Sequence, residues 1–124
     1  MDKKLLLVED DIFIQELYHR ELQKAGFTVD ACANGLDAVK MFEQNDYGLV
    51  MLDIMIPGKD GVAVLEEIKK NANTTKAATP VVMLTNMGQE DIIEKTKTLG
   101  AVGYLIKSEY DPYQVIEEIK KYIK

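Results

Sequence analysis

An α/β architecture, with a parallel five-stranded sheet and helices on both faces, is predicted by three features of the sequence. Apolar runs of strand length recur five times, at residues 5–8, 27–32, 49–52, 80–85 and 102–106. Between them apolar residues return every three or four positions, the period of a helix seated against a core. Turn formers stand at the junctions, and strands that alternate with helices form a parallel sheet.

The first strand ends in Glu9-Asp10-Asp11, and Asp11 is placed to cap a helix whose buried face carries Ile14, Leu17, Tyr18 and Leu22. Gly26 follows where a left-handed cap is expected. The second strand leads into a helix marked by Ala38, Val39 and Phe42. The third is a buried run that stops at Asp53; Pro57-Gly58 and Asp60-Gly61 then make a turn. Asp60 is the expected N-cap of a third helix, marked by Val64, Leu65 and Ile68. Residues 71–79 are polar and small without periodicity, which predicts a loop. After the fourth strand, Ile92, Ile93, Thr96 and Leu99 mark a weaker helix closed by Gly100. The fifth strand ends before Lys107, and Asp111-Pro112 opens a last helix with Val115, Ile116, Ile119 and Ile123 on its stripe. With no repeat or linker, residues 1–124 read as one domain. Five such units in a small domain favour the flavodoxin-like strand order 2-1-3-4-5, which sets strands one and three side by side.

Composition narrows the function. A net charge of -6 argues against direct contact with nucleic acid, which calls for a basic stripe. The single cysteine, Cys32, has no disulfide partner within the chain, which fits a reducing compartment. Met1-Asp2-Lys3-Lys4 leads into only four apolar residues, too few for a signal peptide. No run approaches the ~20 residues of a membrane helix. The expectation is a soluble cytoplasmic protein that does not engage a membrane.

In the expected strand order, Glu9, Asp10 and Asp53 converge beyond the carboxyl ends of strands one and three, where such sheets bind ligands. Three clustered carboxylates repel, so one takes a proton or a cation sits among them. Few hard oxygen ligands, with room for water, suit Mg²⁺ better than a protein-caged Ca²⁺. Thr85 ends the fourth strand and Lys107 follows the fifth on the same edge. Singly, each has an ordinary reading as a solvated acid, a turn hydroxyl or a surface ammonium. Together they suit phosphoryl transfer, which asks for positioning and charge neutralisation. Asp53 is the candidate nucleophile, forming an acyl phosphate.

The chain resembles response-regulator receiver domains, of the single-domain chemotaxis-regulator kind, over essentially its whole length. The resemblance rests on Glu9-Asp10, the stretch from Asp53 to Gly61, Thr85 after Val-Val-Met-Leu, and the run from Gly103 to Lys107. It implies that Asp53 accepts a phosphoryl group from a phosphohistidine on a sensor histidine kinase or a histidine phosphotransfer protein. Glu9, Asp10, Asp53 and the backbone carbonyl of Met55 would hold Mg²⁺. Lys107 would contact the phosphoryl group, Thr85 would swing towards it, and Tyr104 would rotate inward as the switch aromatic. The face made by the fourth helix, fifth strand and fifth helix would change shape and meet a downstream protein target. Such a protein is an autocatalytic phosphoacceptor rather than a turnover enzyme. It acts as a stand-alone switch, a phosphorelay intermediate or the receiver part of a longer regulator.

Some residues depart from the family pattern. Ser108 stands where a proline commonly follows the lysine, Asn86 where a small residue often follows the threonine, and Glu9 where Asp is more frequent. His19, the only histidine, lies inside the first helix, so the phosphodonor must come from another protein. Met55 and Met87 stand two residues after Asp53 and Thr85. Neither side chain holds a water strongly, which predicts slow loss of phosphate. A flavin carrier of the same sheet order would need a phosphate-cradling loop after strand one, where this chain has three acids. An aspartyl-phosphate phosphatase would usually carry a second acid at position 55.

Overall fold

The computed structural model describes residues 4–86 and 89–123; Met87, one of the two methionines considered above, lies outside them. The chain runs β1 (Lys4–Val8), α1 (Ile12–Lys24), β2 (Thr28–Cys32), α2 (Gly35–Gln44), β3 (Leu49–Asp53) and α3 (Gly61–Lys69). A helical turn at Thr74–Ala77 precedes β4 (Val81–Thr85), α4 (Glu90–Thr98) and β5 (Gly103–Ile106). A 3₁₀ turn at Lys107–Glu109 then leads into α5 (Pro112–Ile119). The strands are all parallel in the order β2-β1-β3-β4-β5, as the sequence predicts.

The apolar runs are continuous because the inner strands are covered on both faces. Successive side chains of a strand point to opposite faces, so each run divides between two cores. Leu6, Val8, Val50, Leu52, Val81 and Met83 pack with Phe42 of α2 and with Val64, Leu65 and Ile68 of α3. Leu5, Leu7, Leu49, Met51, Val82 and Leu84 pack with Tyr18 and Leu22 of α1 and with Val115, Ile116 and Ile119 of α5. All five residues of β3, Asp53 included, are buried.

The caps fall where the sequence places them. Asp11, Asp60 and Asp111 each accept a backbone N–H from the first turn of the helix they precede, at 3.1, 2.9 and 2.8 Å. Gly26 and Gly100 adopt φ of 95° and 107°, a region side chains disfavour.

Residues 71–79 differ from the expected loop. Asn73 accepts the Lys76 N–H at 3.1 Å and caps the single turn Thr74–Ala77. Two lysines fasten this segment to its neighbours. Lys69 Nζ donates to the carbonyls of Ala77 and Thr79, at 3.1 and 2.9 Å, and Lys76 Nζ donates to those of Phe42 and Asn45. One turn is too short to show apolar periodicity, and its ties run to backbone that sequence spacing does not locate. The last helix also ends at Ile119, short of the expected Ile123, which is half-buried beyond it.

Candidate functional site

The site begins where β1 leaves the sheet. Glu9 N–H donates to the Cys32 carbonyl at 3.1 Å, which carries the β1–β2 ladder one residue past Val8. The Gln15 amide from α1 clamps the same edge, donating to the carbonyls of Glu9 and Cys32 at 2.8 and 3.0 Å. The Glu9 side chain turns inward and is fully buried. Its Oε2 accepts the Asp11 N–H at 3.1 Å.

Asp53 closes β3, and its Oδ1 accepts the Met55 N–H at 3.1 Å. The start of α3 lies against this strand end: a Cβ on Gly61 would sit 2.3 Å from the Asp53 carbonyl oxygen. Only glycine permits that approach. The Asp-Gly before the third helix is therefore a close-packing requirement as well as a turn signal.

Lys107 binds the two acids together. Its Nζ donates to Glu9 Oε1 at 2.9 Å and to Asp53 Oδ2 at 2.8 Å. Both carboxylates are buried, so the ammonium offsets part of the cost of removing them from water. Burial pushes the Glu9 carboxyl up to about 7; the Lys107 hydrogen bond pulls it down and the Asp53 charge pushes it up. Burial alone would lower the Lys107 pKa, yet its bonds to Asp53 and Glu9 hold it above the ordinary lysine value.

Asp10 is exposed beside this pair, and oxygen atoms of Glu9, Asp10 and Asp53 lie within 4.8 Å of one another. The set comprises three hard oxygen donors, two buried and one facing solvent. It suits a small divalent cation that keeps part of its water.

Thr85 ends β4 fully buried, beside Ile106 of β5. Its hydroxyl faces Gln89 Oε1 and the Asn86 carbonyl, the latter at 3.1 Å. Tyr104 points outward at 38% exposure, with Lys97 Nζ 5.2 Å from its ring centroid. Met55 is exposed at the rim. The bond between Lys107 and Ser108 is trans, as is every other peptide bond among the described residues. His19 is half-buried on α1 and makes no bond to the acids among the described residues.

The geometry thus brings together Glu9, Asp10, Asp53 and Lys107, sets Thr85 at the same sheet edge and leaves Tyr104 turned away. Sequence reasoning missed Gln15 and Gln89. Gln15 had a readable signal, an amide beside the apolar positions 14, 18 and 22 of α1. Gln89 had none, because its role depends on a side chain reaching back across a loop.

A parallel sheet in this order carries three acids and a lysine at its carboxyl edge, and comparison with known proteins gives that arrangement a family. Residues 5–120 match the response regulator receiver domain, and the chain belongs to that family. It is 36% identical over 107 residues to the chemotaxis protein CheY of Halobacterium salinarum, covering 86% of each chain. It is 32% identical to the sporulation initiation phosphotransferase F of Bacillus subtilis, covering 99% of this chain and 95% of that one. The Mn²⁺-bound form of the response regulator Rcp1 superimposes with a TM-score of 0.83 at 30% identity, over 97% of this chain and 93% of that one. The chain spans 49% of the length of some transcriptional regulatory proteins that it also matches. Receiver domains are signalling switches rather than turnover enzymes. Among the described residues, no helix is long and apolar enough to cross a membrane.

Proposed function

We propose that residues 1–124 act as a phosphorylation-dependent switch in which Asp53 takes a phosphoryl group from a phosphohistidine on a histidine kinase or phosphotransfer protein. The observation that carries this reading is Lys107 Nζ bonded to both Glu9 and Asp53 at the carboxyl edge of the sheet. In the transfer, an Asp53 carboxylate oxygen attacks phosphorus and a P–O bond forms. The P–N bond breaks, and its electron pair leaves with the imidazole nitrogen.

The transfer needs little acid–base chemistry from the protein, because the nucleophile is already a carboxylate. Its problem is charge, since an anion must approach a cluster of acids. Lys107 answers that by neutralising one acid and standing within reach of the incoming oxygens. Glu9, Asp10, Asp53 and the Met55 carbonyl are the groups that would hold Mg²⁺, which when bound screens the phosphoryl charge from the acids. The Met55 N–H, already bonded to Asp53 Oδ1, fixes the orientation of the nucleophile.

Thr85 is the residue that would register the phosphoryl group. Tyr104, exposed beside Lys97, would move inward and alter the α4–β5–α5 face presented to a downstream protein target. The near-complete coverage of a sporulation phosphotransferase keeps a phosphorelay intermediate as the second reading.

Intact-mass measurement after incubation with Mg²⁺ and acetyl phosphate tests the proposal. One added phosphoryl group is expected in the wild type and none in Asp53→Asn. Full labelling of Asp53→Asn would remove the assignment.

A further inference from the structure

The hydroxyl that this reading asks to move is already engaged elsewhere. Thr85 Oγ1 is hydrogen-bonded to Gln89 Oε1, and the same oxygen accepts the Asn86 N–H at 2.9 Å. No bond from Thr85 to Glu9, Asp53 or Lys107 exists among the described residues. Gln89 is the N-cap residue of α4, yet its side chain makes no capping bond to its own helix. It reaches back instead to the end of β4. One amide oxygen therefore fixes both the Thr85 side chain and the backbone that follows it.

We propose that Gln89 is a positioning residue that holds the Thr85 hydroxyl in the resting arrangement and so sets how readily the switch is thrown. A hydroxyl has one proton to give. Turning it towards a phosphoryl oxygen on Asp53 means withdrawing it from Gln89 Oε1 and from the Asn86 carbonyl, 3.1 Å away, of which only the first is a side chain that substitution can remove. The device rests on the phosphoacceptor reading of Asp53 and deepens it. Gln89 acts through Thr85 and, among the described residues, makes no hydrogen bond to the acids or the lysine. Removing the amide stabilises the switched arrangement relative to the resting one by the net worth of one hydrogen bond, about a three- to tenfold change in that equilibrium. Gln89→Glu keeps an acceptor oxygen in place and preserves the hold.

The test compares acetyl-phosphate labelling rates, with Mg²⁺, in wild type, Gln89→Leu, Gln89→Glu, Thr85→Ala and Thr85→Ala/Gln89→Leu. Gln89→Leu is expected to label about three to ten times faster than wild type, by that same equilibrium change. Gln89→Glu should match wild type or run slower. In the Thr85→Ala background, Gln89→Leu should add nothing, because the group it restrains is gone. A Gln89→Leu rate equal to wild type overturns the inference, as does an acceleration that persists without the Thr85 hydroxyl.

Amide NMR of the unphosphorylated, metal-free proteins keeps this separate from the function itself. The Asn86 N–H resonance should move upfield in Gln89→Leu and stay hydrogen-bonded in Gln89→Glu. If no variant labels at all, the phosphoacceptor reading fails while this resonance still decides the Gln89 contact. An Asn86 resonance identical in all forms would overturn it.

Discussion

Replacing Lys107 by Met removes a cation bonded to two buried carboxylates. The contacts are 2.9 and 2.8 Å long, and the Lys107 side chain is 13% exposed. At an effective dielectric constant of about 20, each contact has a gross Coulomb attraction of about 6 kcal/mol. Desolvation cancels much of that, and breaking a buried pair from one side typically costs a net ~3–5 kcal/mol. Proton capture limits the loss at low pH. Burial already pushes Glu9 from 4.5 to about 7, and without the Lys107 hydrogen bond it titrates higher still. A raised carboxyl pKa contributes stability that is fully present below the unfolded value and is lost as pH rises through the folded one. In the metal-free wild type, that contribution fades between pH 4.5 and about 7. In Lys107→Met the fall continues to higher pH, at up to ~1.4 kcal/mol per pH unit. The deficit of the variant should therefore widen from pH 6 to pH 8, reaching ~3 kcal/mol. Urea unfolding in the presence of a chelator at pH 6, 7 and 8 measures it. A deficit below ~0.5 kcal/mol throughout, the range of ordinary surface substitutions, would refute the pairing argument. So would a deficit that narrows with rising pH.

Asp10→Asn leaves the Glu9–Lys107–Asp53 bonds intact and removes the exposed acid, so Mg²⁺ affinity should fall roughly tenfold or more by calorimetric titration. Unchanged affinity would take Asp10 out of the metal site. Thr85→Ala should still accept phosphate but lose most of the NMR shift changes on α4, β5 and α5; shifts equal to wild type would show that another residue couples the site to that face. Met55 is 59% exposed at the rim, so Met55→Asn offers a polar group able to orient water. It should speed loss of phosphate by roughly tenfold, below the ~100-fold or more of a positioned base, because an amide orients water without taking its proton. Decay at the wild-type rate would show that water placement at this position does not set the lifetime.

Elements with a strong period or a cap were legible in the sequence. Asp11, Asp60 and Asp111 cap the helices they precede, and the buried strands divide between the two cores as alternation requires. The convergence of Glu9, Asp10 and Asp53 followed from the strand order, because register is fixed once β1 and β3 are neighbours. What escaped were contacts set by side-chain reach rather than by spacing. Lys69 and Lys76 fasten the 71–79 segment through backbone carbonyls, and Gln15 clamps two strand ends. Gln89 bends away from its own helix. Long polar side chains have many rotamers, and only the packed fold selects among them. Lys107 lies between these cases. Its place at the strand end was readable, but the two-sided bond to Glu9 and Asp53 depends on both acids being buried together.

Chemical trapping tests most directly whether the phosphoryl group sits on one carboxylate, that of Asp53. Borohydride reduces an acyl phosphate of aspartate to homoserine, leaving ordinary carboxylates untouched. Protein labelled with Mg²⁺ and acetyl phosphate is reduced, digested and mapped by tandem mass spectrometry. Homoserine is expected at position 53 alone, absent when the phosphodonor is omitted. Homoserine at position 10 or 11, or a labelled protein that yields none, would contradict it.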